Sequence, residues 1–119
     1  MEKMKEARRL RIYASSTDKV EHTLLSEFLV NLARNQGMAG ATVTKGILGY
    51  GASSVIHSYK LWEITEKVPV IIEIIDAIDK INTFREEILP ILESLQNGCL
   101  VTIDAIEIIL YKPGKKKQS

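Results

Sequence analysis

The sequence predicts an α+β protein whose strands and helices follow one another in the order β-α-β-β-α-β. Three observations give that order: an alternating stretch near the start, two stretches with helical spacing of apolar residues, and strand-like runs rich in Val, Ile and Thr. The chain has 119 residues, which is enough for one domain with a sizeable core and too few for two. We place that domain at residues 8–111 and expect residues 112–119 to be a disordered basic tail.

The first strand and the first helix are predicted from residues 10–37. Residues 10–15 alternate between apolar and polar side chains, as a half-buried strand does. Asp18 is followed three residues later by Glu21, the spacing of a capping box at a helix start. Apolar residues then recur at helical spacing, and Gly37 suits the position just after a helix C-terminus.

Two further strands follow that helix. Residues 41–48 (ATVTKGIL) are rich in β-branched side chains and predict the second strand. Residues 68–75 (VPVIIEII) are almost continuously apolar, a pattern typical of a strand that is buried on both faces.

The last part of the chain predicts a helix and a long strand. Asn82 is the expected cap of the helix, Pro90 lies inside it and is expected to kink it, and Asn97-Gly98 is its expected end. Residues 100–111 (LVTIDAIEIILY) predict the final strand. Its alternation changes phase near Asp104, where we expect a bulge.

This order of elements is the ferredoxin-like split βαβ arrangement, in which two helices cover one face of a four-stranded antiparallel sheet. The third strand would then place Ile and Val side chains on the face that no helix covers. An apolar surface of that size is unusual on a monomer. We therefore expect other subunits to bury the open face, in a closed symmetric oligomer.

Composition limits the partners and the compartment. The formal charge is 16 − 15 = +1, which argues against a dedicated nucleic-acid binder. Residues 112–119 hold four lysines and no acid, so residues 1–111 carry 12 − 15 = −3. A single cysteine, Cys99, excludes an intrachain disulfide and suits a reducing compartment. No stretch has the pattern of a signal peptide or of a membrane span, so we expect a cytoplasmic protein without membrane insertion.

The sequence gives no pattern that is typical of an enzyme. It shows no nucleophile–base pair, no paired carboxylates and no cluster with metal-ligand spacing, so we predict no catalytic residue and no metal. An RNA-binding sheet would need aromatic side chains that stack on bases, and the apolar side chains of the third strand are all aliphatic. An acylphosphatase-like site would need an arginine loop after the first strand. That position holds Ser15-Ser16-Thr17-Asp18, with an acid where a phosphate would lie.

The stretch KGILGYGASSVIHSYK, residues 45–60, is the candidate site. Its glycines can take positive φ and free backbone N–H groups for an anion, its serines can donate hydrogen bonds, and its histidine titrates near neutral pH. The candidate ligand-binding residues are Gly49, Tyr50, Gly51, Ser53, Ser54 and His57. The alternative is a solvated turn without a ligand. The stretch lacks the strand-to-helix setting of a P-loop.

A family resemblance enters through these residues. ATVTKGILGYG at 41–51, with IHS at 56–58, VPVIIE at 68–73 and LQNGCLVT at 95–102, resembles the uncharacterised PII-like family of small bacterial and archaeal proteins. The resemblance extends from Leu10 to Tyr111 and implies a homotrimer of ferredoxin-like subunits. It also implies adenine nucleotides bound in clefts between subunits, and target proteins contacted through a T-loop at residues 51–67.

Two departures from true PII proteins leave open whether this chain binds a nucleotide. Ala52 and Ser53 stand where Arg-Gln follows the Gly-Phe-Gly of PII, and Asn97-Gly98-Cys99 replaces a Gly-Asp-Gly-Lys loop. We therefore carry two hypotheses. The first is a trimeric regulatory protein that senses a small anionic ligand, such as an adenine nucleotide, and signals through residues 51–67 to a target; relatives point to a membrane transporter or channel. The second is a protein-interaction module of the same fold that binds no ligand.

Overall fold

The computed structural model describes residues 6–51, 57–58 and 67–114. Within these residues the main sheet has four antiparallel strands in the order β4-β7-β1-β8. The elements in chain order are β1 (Ala7–Ser15), β2 (Lys19–Val20), β3 (Thr23–Leu24), α1 (Leu25–Asn35), β4 (Gly40–Lys45), β5 (Leu48–Gly49), β6 (His57–Ser58), β7 (Pro69–Ala77), α2 (Ile78–Glu93) and β8 (Leu100–Ile106). The predicted α+β order with two helices on one face of the sheet is confirmed.

The core lies between the two helices and one face of the sheet. Along β7 the exposure alternates strictly, with every second side chain buried under the helices. Among the residues that the structure describes, the largest fully buried side chain is Phe84 of α2. The buried cluster joins Leu10, Ile12, Leu25, Leu29, Ala33, Val70, Ile72, Ile74, Ile81, Phe84, Ile88 and Leu92. Period 2 in the strands and the helical stripe in α2 therefore meet in one core, as the sequence predicts.

The other face of the sheet is free of helices in the described chain. The strand register sets its side chains in cross-strand rows. The row that crosses all four strands nearest to β5 contains Thr44, Ile71, Tyr13 and Leu100. The next row brings Arg11 beside Glu73, with Nε and Oε2 3.2 Å apart. Arg9 then pairs with Asp104 at 2.6 Å between Nη2 and Oδ2. We call this surface, which mixes apolar side chains with two ion pairs, the open face.

The start of α1 differs from the predicted capping box. The helix begins at Leu25, its N-cap residue Leu24 makes no side-chain cap hydrogen bond, and residues 19–24 form the β2–β3 hairpin around Glu21 at φ 57°. The prediction was wrong because the Asp18 carboxylate accepts from the backbone of Ser15 instead, which holds a turn before the hairpin.

The end of α1 follows the prediction. Gly37 has φ 70°, in the left-handed region that favours glycine. Its N–H donates to the Arg34 carbonyl, and the N–H of Met38 donates to the Ala33 carbonyl, each at 3.0 Å. This pair of bonds is a Schellman motif, which satisfies carbonyls that the helix end leaves free.

The start of α2 also corrects a prediction. The helix begins at Ile78, so Asn82 lies inside it and is no cap. Asp76, only 2% exposed, is the acceptor at this junction: its carboxylate binds the N–H of Ala77 at 2.6 Å and that of Ala39 at 2.9 Å. Pro90 lies within the helix as predicted, and the helix ends at Glu93, before Asn97-Gly98.

The final strand is shorter and more regular than predicted. β8 ends at Ile106, and its pairing with β1 runs unbroken from Leu100 to Ile106 without a bulge. The change of phase near Asp104 has another cause, because that carboxylate lies on the open face as the partner of Arg9. The second strand likewise ends at Lys45, and residues 48–49 form the separate strand β5. Within the described residues no helix is both long and apolar enough to span a membrane.

Candidate functional site

A cavity of about 360 Å³ opens where the strands of the main sheet end beside β5. Its wall crosses the sheet in strand order, from the residues after β4, past the start of β7 and the end of β1, to the turn before β8. The lining residues are Tyr13, Ala14, Ser15, Asp18, Gly46, Leu48, Gly49, Tyr50, Gly51, Lys67, Pro69, Val70, Ile71, Asn97 and Gly98. We call it the strand-end cavity. A volume of a few hundred Å³ lies within the range of small-molecule sites.

The glycine side of this cavity is built by close contact between β4 and β7. The N–H of Gly46 donates to the carbonyl of Pro69 at 2.7 Å. A Cβ at position 46 would lie 2.8 Å from Cγ of the Pro69 ring, closer than real Cβ contacts allow. Glycine is therefore required at position 46, and this contact sets the direction in which residues 47–51 leave the sheet.

The opposite side is built around a buried carboxylate. Asp18 is 3% exposed and accepts from the N–H of Ser15 at 2.9 Å through Oδ2. Its Oδ1 accepts from Nδ2 of Asn97 at 2.8 Å. Its own backbone carbonyl accepts from the N–H of Leu25 at 2.7 Å. These bonds connect the end of β1, the start of α1 and the turn before β8.

Reciprocal hydrogen bonds join the end of β1 to the start of β7 between the two sides of the cavity. Ser16 N–H donates to the Val68 carbonyl at 2.9 Å, and Val68 N–H donates to the Ser16 hydroxyl oxygen at 3.1 Å. These bonds fix the strand ends that carry the lining residues Ser15 and Pro69. The wall also includes Tyr13 and Ile71, which belong to the open face, so the cavity is continuous with that face.

Charge is divided along the cavity. The exposed Lys67 lies two residues before β7, and the buried Asp18 lies beyond the end of β1. Next to Asp18, Cys99 is half-buried, and burial in the first place, with the Asp18 charge in the second, raises the pKa of its thiol. Among residues 6–51 and 67–114, no three His, Cys, Asp or Glu side chains are grouped so that they could hold a metal ion.

The structure brings part of the predicted site together. Gly49, Tyr50 and Gly51 line the cavity, and His57 lies opposite Gly49 in the β5–β6 pair. Ser53 and Ser54 lie outside the described residues. Neither Gly49 nor Gly51 has positive φ. The positive-φ backbone that was expected to turn N–H groups toward an anion is therefore absent at these two glycines.

Sequence reasoning missed the residues on the far side of the cavity. Asp18 was assigned to a helix cap, and Asn97 to a helix end, although the two side chains meet across 79 positions of sequence. Lys67, Ser15 and Gly46 were missed as well. The local signal for Asp18 was the polar run Ser-Ser-Thr-Asp directly after a strand, which is typical of a turn held by side chains. Asn97 gave no local signal.

The chain has the fold of PII-like proteins. The chain is similar in structure to CPII, a nitrogen regulatory PII-like protein from Thiomonas intermedia K12 bound to ADP, AMP and bicarbonate, with a TM-score of 0.56 at 16% identity over 87% of this chain and 90% of that one. It is also similar to a putative PII-like signalling protein from Thermus thermophilus, with a TM-score of 0.61 at 14% identity over 87% and 90% of the two chains.

Sequence similarity places the chain in one family. The chain belongs to the family described as DUF190, Uncharacterized ACR, which matches residues 7–108. A UPF0166 protein from Aquifex aeolicus is 37% identical over 84% of this chain and 90% of its own length. A UPF0166 protein from Methanocaldococcus jannaschii is 32% identical over 85% and 91% of the two chains. The resemblance to an uncharacterised PII-like family is confirmed.

Proposed function

We propose that this protein is a PII-like regulatory protein that senses a small anionic ligand in the strand-end cavity. The observation that carries the proposal is the position of the cavity: it lies beside the glycine-containing residues 46–51, it includes Lys67, and it is continuous with the open face. The exposed Lys67 supplies positive charge for a phosphate or a carboxylate in this cavity. At Gly51 a Cβ would meet nothing within 4 Å, so a ligand could approach the backbone there.

An adenine nucleotide is the ligand that we propose. CPII, which has the same fold, is described as bound to ADP, AMP and bicarbonate. This chain supplies different groups from those of PII proteins, because Ala52-Ser53 and Asn97-Gly98-Cys99 replace their phosphate-binding side chains. The proposed contacts are therefore the backbone of Gly49, Tyr50 and Gly51, the hydroxyls of Ser53 and Ser54, and His57.

The proposed assembly is a homotrimer that buries the open face. In the single chain Leu100 is 51% exposed on that face, next to the half-buried Tyr13 and Ile71. Because Tyr13 and Ile71 also line the strand-end cavity, packing of a second copy on the open face would place the cavity between subunits. We propose a cytoplasmic location, which suits the free thiol of Cys99.

The signal would leave through residues 51–67. The mouth of this segment is the β5–β6 pair next to the cavity, so ligand contacts at Gly49–Gly51 would bias its arrangement. A ligand that binds one arrangement more tightly shifts the population toward it, which couples the cavity to a distant partner surface. The proposed partner is a target protein such as a membrane transporter or channel.

A thermal-shift screen with ATP, ADP, AMP and cyclic nucleotides tests the proposal. A ligand that binds only the folded protein raises the melting temperature. At one hundred times its Kd, such a ligand adds about 2.7 kcal/mol to the free energy of unfolding. We expect a rise with at least one adenine nucleotide. No rise with any of them at millimolar concentration would contradict the nucleotide form of the proposal.

One observation favours the second candidate, an interaction module without a ligand. Ile47, Leu48 and Tyr50 are 80%, 68% and 71% exposed, and they form an apolar surface at the mouth of the segment. Exposed apolar patches often mark protein contacts. The variant Ile47→Ser changes this surface at a residue that does not line the cavity. Loss of target binding in this variant, together with no nucleotide binding by the wild-type protein, would favour the interaction module. Nucleotide binding by the wild-type protein and by Ile47→Ser alike would favour the sensor.

A further inference from the structure

We propose that Asp18 and Asn97 form the ligand-specificity corner of the strand-end cavity, which accepts a hydrogen bond from an N–H or O–H group of the ligand. The anionic group of the same ligand would lie at the opposite side, near Lys67 and residues 46–51. The inference rests on the proposed function, because it concerns the same cavity. It adds the orientation of the ligand and the reason why a simple anion is a poor occupant.

Burial and charge single out Asp18. It is 3% exposed, and both hydrogen bonds to its carboxylate come from neutral groups, the Ser15 N–H and the Asn97 amide. Within the described part of the chain, the ion pairs join Arg9 to Asp104, Arg11 to Glu73 and Lys80 to Asp76, and none includes Asp18. An ionised carboxylate offers about four acceptor positions, so two neutral donors leave further positions free.

The side chain of Asn97 adds to the same chemistry. A carboxylate can only accept, so the amide must present its NH₂ group to Asp18, as the 2.8 Å contact shows. The amide oxygen of Asn97 is then not bonded to Asp18. Asn97 is exposed and lines the cavity. The corner therefore presents carboxylate and amide oxygens, an arrangement that binds donors and repels phosphate or carboxylate groups.

The sheet sets the distance between the corner and the anion side. Residues 46–51 follow β4, while Asp18 follows β1, and β7 lies between these strands. Neighbouring strands are about 4.8 Å apart, so two spacings separate the sides by roughly 10 Å. A ligand that uses both sides must carry its anion and its donor at a comparable separation. Inorganic phosphate cannot meet both requirements, whereas a nucleoside diphosphate can.

The donor of such a nucleotide has two sources. One is the exocyclic amine of adenine, and the other is a ribose hydroxyl. Calorimetric titration of the full chain with ADP, purine-riboside 5′-diphosphate, 2′-deoxy-ADP and 3′-deoxy-ADP separates them, because each analogue lacks one donor. A hydrogen bond to a charged group corresponds to a loss of roughly 10- to 100-fold in affinity. We expect one analogue to show that loss and the others to bind nearly as ADP does.

A variant of the protein tests the same contact from the other side. Asp18→Asn keeps the size of the side chain and removes the charge. We expect roughly 10- to 100-fold weaker ADP binding and unchanged or tighter pyrophosphate binding. Asp79→Asn is the matched control, since it makes the same chemical change at an exposed position in the first turn of α2 and should bind ADP normally. Lys67→Gln should weaken ADP and pyrophosphate alike.

The outcomes separate the inference from the proposed function. If wild-type protein binds ADP and all three analogues equally, the corner accepts no hydrogen bond from these groups of the ligand. The inference is then overturned, while the proposed function stands. Unchanged ADP affinity in folded Asp18→Asn overturns it in the same way. If Asp18→Asn does not fold, Asn97→Ala at the exposed partner takes its place, with weaker ADP binding expected. If wild-type protein binds neither ADP nor pyrophosphate, the proposed function itself fails.

Discussion

Gly46 shows how a single position fixes the shape of the strand-end cavity. Its N–H is bonded to the Pro69 carbonyl, and the Pro69 ring occupies the place where a side chain would start. The ring is held at the start of β7, opposite Ser15, and has little freedom to move away. Sequence reasoning selected Gly49 and Gly51 of the same stretch because glycines can take positive φ and because Gly-Tyr-Gly resembles the loop start of PII proteins. It could not find Gly46, since the constraint comes from a proline 23 positions further along the chain (69 − 46 = 23).

Gly46→Ala should destabilise the fold and distort the cavity. A Cβ 2.8 Å from the Pro69 ring forces a backbone shift, for which about 1–3 kcal/mol is typical. Urea denaturation measures the loss, and Gly51→Ala is the control because its Cβ would meet nothing within 4 Å. Equal stability of the two variants would contradict the steric argument.

The Asp18–Asn97 contact marks the limit of local sequence reading at the residue scale. A capping box and a carboxylate that closes a turn use the same residue types, and only the tertiary partner distinguishes them. The partner here is 79 positions away, in the turn before the last strand. The candidate site was therefore predicted on its glycine side and missed on its carboxylate side.

At the scale of elements, the junction between β7 and α2 depends on Asp76. Its carboxylate binds two backbone N–H groups, from Ala39 before β4 and from Ala77, and also lies 3.5 Å from Nζ of Lys80. The existence and the type of these elements followed from periodicity. Their boundaries did not, because the start of α2 is set by this buried carboxylate, which lies one residue past the strand predicted at 68–75.

Asp76→Ala should destabilise the protein strongly. Two backbone N–H groups would lose their acceptor, and each buried unsatisfied donor costs about 1–3 kcal/mol, so we expect about 2–6 kcal/mol in urea denaturation. Asp79→Ala, an exposed acid in the first turn of the same helix, should cost no more than about 1 kcal/mol through the helix dipole. Similar losses in the two variants would show that Asp76 acts only through its charge.

The pairing of β1 with β8 gives the protein a pH-dependent contribution. Arg9 donates to Asp104 and holds the pKa of that carboxyl below its usual value. A depressed pKa stabilises the folded state above the unfolded pKa of about 3.9 and loses that contribution as the pH falls through the folded value.

Asp104→Asn should therefore lower the melting temperature at pH 7 and have a smaller effect at an acidic pH below the unfolded pKa of about 3.9. The decrease at pH 7 should be smaller than that of Gly46→Ala and should shrink in high salt, because the pair is partly exposed. Glu107→Gln, at an exposed acid just after β8, is the control. A decrease that is the same at both pH values would mean that the ion pair is not its source.

At the scale of the whole molecule, the order of elements and the layer arrangement were predicted because each element has a strong pattern. The open face was inferred from an apolar third strand. The structure refines this inference, since that face is a mixed surface on which Arg9–Asp104 and Arg11–Glu73 pairs lie between apolar rows. Sequence patterns gave no sign of these pairs, because each one joins residues of different strands.

Leu100→Glu should dissociate the proposed trimer. The side chain lies on the open face, outside the strand-end cavity, and is 51% exposed in the single chain, so a charge there should cost little in a monomer and much in a buried interface. The molar mass measured by light scattering should fall from three times 13.4 kDa for the wild-type protein to 13.4 kDa for the variant. Asn31→Glu, on the exposed side of α1, should leave the mass unchanged. A wild-type monomer would refute the assembly directly.

The most direct test of the central claim is an NMR titration of the uniformly labelled wild-type protein with ADP. If the strand-end cavity is the ligand site, backbone amide signals should shift at residues 46–51, at Ser15 and Asp18, and at Asn97-Gly98. Signals at the opposite end of the sheet, around Gly37–Ala39 and Ile78, should stay in place. Shifts confined to that opposite end, or no shifts at millimolar ADP, would contradict the account.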